Sequence, residues 1–131
     1  MKLRTLNLDD HKKLISFWKE NYFVTEMDNV SHLQLFLEKN PDLSVLIEEN
    51  GEILGTALGS YDGRRGYIQK VVTSKNHRNH GIGKRVVLDV IKRLKSIGAL
   101  YIPISVENEL VSFYEKCGFV RKDSKSMSLD L

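Results

Sequence analysis

Cysteine, proline and long apolar runs are scarce in this chain, and each scarcity excludes something. The one cysteine, Cys117, can form no internal disulfide, which fits a reducing, cytoplasmic compartment. No apolar run exceeds four residues, far short of the ~20 needed to cross a bilayer, so no membrane span or membrane partner is expected. The first residues, Met1-Lys2-Leu3-Arg4-Thr5-Leu6-Asn7, turn polar too soon for the apolar core of a secretory signal. Two prolines and nine glycines in 131 residues, with 41% in the hydrophobic set, describe neither a collagen-like nor a disordered chain. One domain over residues 1–131 with a single core is expected.

Charge of one sign is also in short supply overall, since 20 Lys and Arg stand against 17 Asp and Glu for a net +3. That excess is too small to imply a nucleic-acid partner, which needs clustered charge and, for single strands, interleaved aromatics. Its distribution is more informative. From Lys75 to Arg85 lie Lys75, His77, Arg78, His80, Lys84 and Arg85, with no acid among them.

The periodicity reads in order as β-α-α-β-β-β-α-β-α-β-β. Leu3 to Leu6 reads as a short edge strand. Asp9 is the expected N-cap of a helix from Asp10 to Tyr22, whose Leu14, Ile15, Trp18 and Tyr22 recur at helical spacing. Val30, Leu33, Phe36 and Leu37 mark a second helix, ending at Asn40 because Pro41 disfavours helical geometry in the residue before it. Leu43–Glu49, Glu52–Tyr61 and Tyr67–Thr73 then read as an antiparallel meander, turned first by Asn50-Gly51 and next by Asp62-Gly63. Ile82 to Ile97 is a one-faced helix closed by Gly98. Leu100, Ile102, Ile104 and Val106 alternate as a strand, parallel to Tyr67–Thr73 if the helix is a crossover. Asn108 caps a short helix through Cys117, and Phe119–Arg121 with Ser126–Leu131 reads as a closing hairpin.

The segment Arg78-Asn79-His80-Gly81-Ile82-Gly83-Lys84 joins a strand to that long helix. Glycines allow close backbone approach, and the first amides of a helix lack intrahelical acceptors. With the helix dipole and Arg78, Lys84 and Arg85 nearby, this describes a phosphate or pyrophosphate site. It is not a Walker loop, because Arg85 stands where a hydroxyl is required, and it lacks the spacing of a dinucleotide fingerprint. Two glycines alone are equally explained by a tight turn.

Two motifs together resemble the GNAT superfamily of acetyl-CoA-dependent N-acetyltransferases, in its small single-domain bacterial form. The family signature runs from Gln or Arg to Gly three residues on and Gly or Ala two further, satisfied by Arg78, Gly81 and Gly83. The second hallmark is Phe-Tyr followed by Gly-Phe, matched by Phe113-Tyr114 and Gly118-Phe119. The resemblance covers essentially the whole chain and implies an α/β (α+β) fold. Its mixed, mostly antiparallel sheet would have about six to seven strands, flanked by four helices and carrying a splayed parallel pair at the cofactor site.

Residue by residue, the resemblance implies that backbone groups of Val71, Val72 and Thr73 hold the pantetheine of acetyl-CoA. Amides of Arg78, Asn79, His80, Gly81, Ile82, Gly83 and Lys84 would hold its pyrophosphate, and Asn108 would touch the cofactor. Tyr114 matches the tyrosine that protonates the departing thiolate, although spacing alone makes it a core aromatic. Asn79 departs from the glycine of many members but tolerates left-handed geometry. Pro103, which cannot donate to a ladder, is expected at or just beyond the splay.

The reaction is attack of a neutral primary amine, from a small molecule or a peptide, on the acetyl thioester. It calls for a base, oxyanion donors and an acid. The base is open among Glu26, Asp28, Asp62 and Glu107, with Glu26, Asp28, Tyr61 and Asp62 as the candidate acceptor side. The two acids Glu26 and Asp28 would suit a cationic amine, and an ordinary helix-linking loop explains them equally. No metal is expected: His77 and His80 lack companion ligands, and Cys117 reads as packing. Two alternatives remain open, a CoA-binding module without catalysis and, ranked last, a nucleic-acid binder using the basic stretch. Acceptor choice rests on the chain's own short loops or on a second subunit of a homodimer.

Overall fold

The computed structural model describes all 131 residues, with no peptide bond in the cis form. β1 (Lys2–Thr5) is followed by a 3-10 turn (Leu8–Asp10), α1 (His11–Asn21), a second 3-10 turn (Glu26–Asp28) and α2 (Val30–Lys39). The meander β2 (Val45–Glu49), β3 (Glu52–Tyr61) and β4 (Gly66–Thr73) comes next. A 3-10 turn at Lys75–His77 leads to α3 (Ile82–Ser96), and another at Asn108–Leu110 to α4 (Val111–Lys116). No helix is long and apolar enough to cross a membrane.

Local chemistry sets these boundaries. The Asn7 side chain accepts from the Asp9 amide while Asp10 accepts from the Asn7 amide, a reciprocal cap two residues earlier than the expected Asp9. Asn50 and Gly51 both have positive φ, 53° and 80°, as a two-residue turn between right-twisted strands requires. The strands lie in the order β1-β2-β3-β4, all antiparallel.

Each face of the sheet carries its own apolar cluster. On one, Val86, Val87, Val90 and Leu94 of α3 are wholly buried against Val45, Ile47, Ala57 and Ile68. Each such side chain contributes about 1.5–3 kcal/mol. On the other, Leu14, Phe17 and Trp18 of α1 and Leu33 of α2 cover Leu46, Leu58 and Val72. β3 is trimmed to let α3 lie close: a Cβ at Gly55 would overlap Ile82, and one at Gly59 would come within 2.7 Å of Val90. Ile82, the first residue of α3, therefore seats in a notch of β3 and fixes where the helix begins.

Past α3 the expectations need correction. Leu100–Val106 forms no strand, so the sheet has four strands rather than six or seven and contains no parallel ladder. One backbone bond, from Gly66 N–H to the Tyr101 carbonyl at 2.9 Å, ties this segment to β4. Ile102, Ile104 and Val106 still pack on the α3 cluster. Pro103, two residues beyond the tie, has no amide with which to continue it. The expected hairpin of Phe119–Arg121 and Ser126–Leu131 is likewise absent; Phe119 folds back on α4, its amide donating to the Tyr114 carbonyl at 3.0 Å. Asn108 opens a 3-10 turn rather than capping the helix, and Leu110 occupies the cap of α4.

Candidate functional site

The site is built around an irregularity in β4. Thr56 pairs with Val72 but Leu58 pairs with Gln69, so Lys70 and Val71 together oppose Ala57 in a β-bulge. Lys70 takes φ 52°, a left-handed geometry unusual for a residue with a side chain. A buried relay holds it there: Trp18 Nε1 donates to Thr56 Oγ1 at 3.0 Å, and that hydroxyl donates to the Lys70 carbonyl at 2.8 Å. Neither Trp18 nor Thr56 is exposed at all.

The bulge changes which way the strand faces. Before it, Gly66 and Ile68 face α3; after it, Val71 and Thr73 do, while Gln69, Lys70 and Val72 lie toward α1 and α2. Because β4 ends the sheet, its outer edge beyond the Gly66 tie has no backbone partner. Asn21, at the end of α1, then accepts from the Lys75 amide at 2.8 Å and anchors the chain leaving β4.

The loop that follows is rich in donors without acceptors. None of the amides from Arg78 to Lys84 has an acceptor in the protein, and α3 starts with no side-chain cap. Asn79 (φ 66°) and Gly81 (φ 78°) are both left-handed, the geometry expected for asparagine in place of glycine. A Cβ at Gly81 would meet nothing within 4 Å, so only backbone conformation demands glycine there. At Gly83 the constraint is space: a Cβ would lie 3.2 Å from Phe113 and from Thr73 Oγ1, where β4, α3 and α4 converge. Lys75, Arg78, Lys84 and Arg85 enter no ion pair. His77 and His80 stand edge to face with centroids 6.4 Å apart, and no group of three potential ligands gathers to hold a metal ion.

Tyr114, on α4, packs edge-on to Phe113 and Phe119 at 4.9 and 5.7 Å. The residue is only 8% exposed, yet its hydroxyl has no protein partner and is not sealed from solvent. Burial, with smaller contributions from Cys117 and Tyr22, pushes the phenol up to about 12, so it keeps its proton at neutral pH. Cys117 is buried, and desolvation raises its thiol above the usual range, which makes it inert packing.

On the α1–α2 side of β4 lies a groove of about 510 Å3, walled by Tyr22, Phe23, Met27 and Phe36 with Leu58 and Gln69. Lys70 sits in it, its ammonium 3.0 Å from Asp28, donating to the Phe23 carbonyl at 2.8 Å and lying 4.8–5.4 Å from the ring centres of Trp18, Tyr22 and Phe23. The same Asp28 oxygen, Oδ2, caps Thr25 at 2.8 Å.

The sequence candidates for the acceptor side thus separate. Asp28 lines the groove but is engaged as a structural partner, and Glu26 is exposed outside it. Asp62 accepts from the amides of Arg65 and Arg64, which hold its carboxyl below the usual range, and from Tyr67. Tyr61 donates to the Gly63 carbonyl. Both belong to the β3–β4 turn. Glu107 stands at the N-cap position of the 3-10 turn before α4 with no side-chain capping bond, and the neighbouring Asn108 is exposed. Sequence reasoning missed Lys70, whose bulge no residue type announces, and His32, which also lines the groove.

With this geometry in hand, residues 9–119 match the model of the Acetyltransferase (GNAT) family. The chain belongs to that family. This acetyltransferase is 27% identical to an acetyltransferase of Sodalis glossinidius over 95% of its own length and 90% of the relative's. Its fold is similar to that of glucosamine-6-phosphate N-acetyltransferase from Arabidopsis thaliana, with a TM-score of 0.76 and 24% identity over 98% and 97% of the two chains. It is also similar to a predicted acetyltransferase from Clostridium acetobutylicum determined with acetyl-CoA, with a TM-score of 0.77 and 19% identity over 98% and 95%. The family draws its acetyl group from acetyl-CoA.

Proposed function

We propose that this acetyltransferase moves the acetyl group of acetyl-CoA to a primary amine by direct attack, with the donor between β4 and α4 and the acceptor in the groove on the other side of β4. The observation that carries the reading is the run of unaccepted amides from Arg78 to Lys84 at the start of α3, beside unpaired Arg78, Lys84 and Arg85. Such a cradle fits a pyrophosphate, because donors, dipole and cations all favour an anion there.

The unpaired outer edge of Val71, Val72 and Thr73 offers backbone groups to the pantetheine arm, and the exposed Asn108, at the start of the 3-10 turn before α4, is the side chain assigned to touch it. An amide of this edge donates to the oxyanion that forms as the amine adds. Tyr114 donates to the developing thiolate. A phenol near 12 is a weaker acid than a thiol near 8.5, so Tyr114 must regain a proton as it gives one up. The amine nitrogen, acidified by attack, supplies it.

Acetyl-CoA is expected to raise the Tm by several degrees, as any ligand selective for the native state does. Thiol release with a panel of primary amines tests transfer, and Tyr114→Phe should lower kcat about 100-fold while leaving the acetyl-CoA-dependent Tm rise intact. Binding without release by any amine would instead describe a module that only holds CoA.

A further inference from the structure

The groove contains one side chain whose proton-accepting atom is left open. Asn29 caps α2 by accepting the His32 amide at 2.9 Å, which identifies the accepting atom as the amide oxygen Oδ1 rather than the nitrogen. The same Oδ1 lies 2.9 Å from His32 Nδ1 and also accepts from Ser31 at 2.9 Å. A carbonyl oxygen only accepts, so Nδ1 must carry the hydrogen. The neutral imidazole is thereby fixed in the tautomer whose lone pair is on Nε2.

His32 stands on the face of α2 that also presents Phe36 and Lys39 to the groove, across from Gln69 and Lys70 of β4. The other titratable groups there are Tyr22, Asp28, Lys39 and Lys70. Asp28 and Lys70 neutralise each other at 3.0 Å, and Lys39 has no ion-pair partner. Of the nitrogen and oxygen bases in the groove, only His32 combines a neutral lone pair with a partner that dictates its orientation.

Resting on the acceptor site proposed above, we infer that His32 Nε2 is the base that deprotonates the acceptor, with Asn29 as its positioning residue. The acceptor ammonium gives one proton to Nε2, leaving an imidazolium and a neutral amine. The amine lone pair forms the C–N bond at the acetyl carbonyl, and the electron pair of the C–S bond leaves on sulfur. Tyr114 gives its proton to that sulfur and takes the remaining excess proton from nitrogen. The imidazolium releases its proton to solvent at the mouth of the groove. Ammonium and acetyl thioester become acetamide, thiol and one free proton. The groove's aromatic and methionine walls select an amine with an apolar body.

Two measurements on the intact protein decide the matter. Nitrogen NMR of His32 should show the neutral ring protonated at Nδ1, reverting to the Nε2-protonated form in Asn29→Ala. Nε2–H in the unaltered protein overturns the inference without touching the function. Thiol release is then followed against pH with phenethylamine and a Phe-Gly amide as acceptors. His32→Gln should lose about 100-fold in kcat/KM and the acid limb of its profile, and keep the acetyl-CoA-dependent Tm rise. An acid limb that persists in His32→Gln removes His32 as base while the acetyl transfer stands. Acetyl-CoA binding with no release from either amine overturns the transfer reading, and the inference with it.

Discussion

Lys70 and the cations of the Arg78–Arg85 loop carry the same charge eight to fifteen residues apart, and their surroundings are opposite. Lys70 is matched to Asp28, hydrogen-bonded to a carbonyl and enclosed by three rings. Arg78, Lys84 and Arg85 have no counter-charge and stand beside amides with no acceptor. The first arrangement holds the protein together, and the second is complete only with an anion. Net charge, which is +3, registers neither.

The comparison can be broken most sharply at the loop. Gly81→Glu puts a side chain at φ 78° and a carboxylate in the anion cradle, so acetyl-CoA affinity should fall by roughly 100-fold or more by titration calorimetry. Retained affinity would falsify the pyrophosphate assignment. Lys70→Met strands the buried Asp28 and should cost about 2–4 kcal/mol in urea denaturation. Asp28→Asn added to it should recover part of that loss, and strict additivity would mean the pair is not coupled. Lys84→Gln should change stability by less than about 0.5 kcal/mol. It should weaken acetyl-CoA binding about 5-fold at low salt, less as salt rises. A stability loss as large as that of Lys70→Met would erase the contrast between the two regions.

A different contrast concerns a group kept uncharged. Tyr114 is pushed up to about 12 when folded and titrates near 10 when unfolded, so above about 10 the unfolded chain gives up a proton that the native state keeps. The associated stability is fully present below about 10 and is lost as pH rises toward 12. The Tm of the unaltered protein should therefore fall more steeply than that of Tyr114→Phe between pH 9 and 11, and parallel curves would show that the phenol is not buried as described.

Local signals were legible where one or two residues settle the backbone. Asn50-Gly51 specified a hairpin, Gly98 closed α3 in left-handed geometry, and Asn79 took the turn its side chain allows. The loop amides and Tyr114 were reached through motifs. Segments that need an external partner were misread: Leu100–Val106 has the alternation of a strand, but alternation does not supply a ladder, and one bond at Tyr101 is all that forms. The acids Asp28 and Asp62 looked like bases because their bonds to Lys70 and to turn amides are invisible in a list of residues. Lys70 and His32 were missed for the same reason, their geometry being set by Thr56 and Asn29.

The left-handed turn at Lys70 also makes β4 tolerant of one change in length. Gln69 and Lys70 both lie toward α1 and α2, so removing Lys70 would restore an unbroken alternation and leave Val71 and Thr73 toward α3 and Val72 beside α1. Both apolar clusters would keep their members; lost would be the bulge, the ammonium that pairs with Asp28 and the carbonyl that accepts from Thr56. A single-codon deletion at this point is one that the fold survives and the groove does not, so relatives that take a different acceptor are free to differ here in residue number.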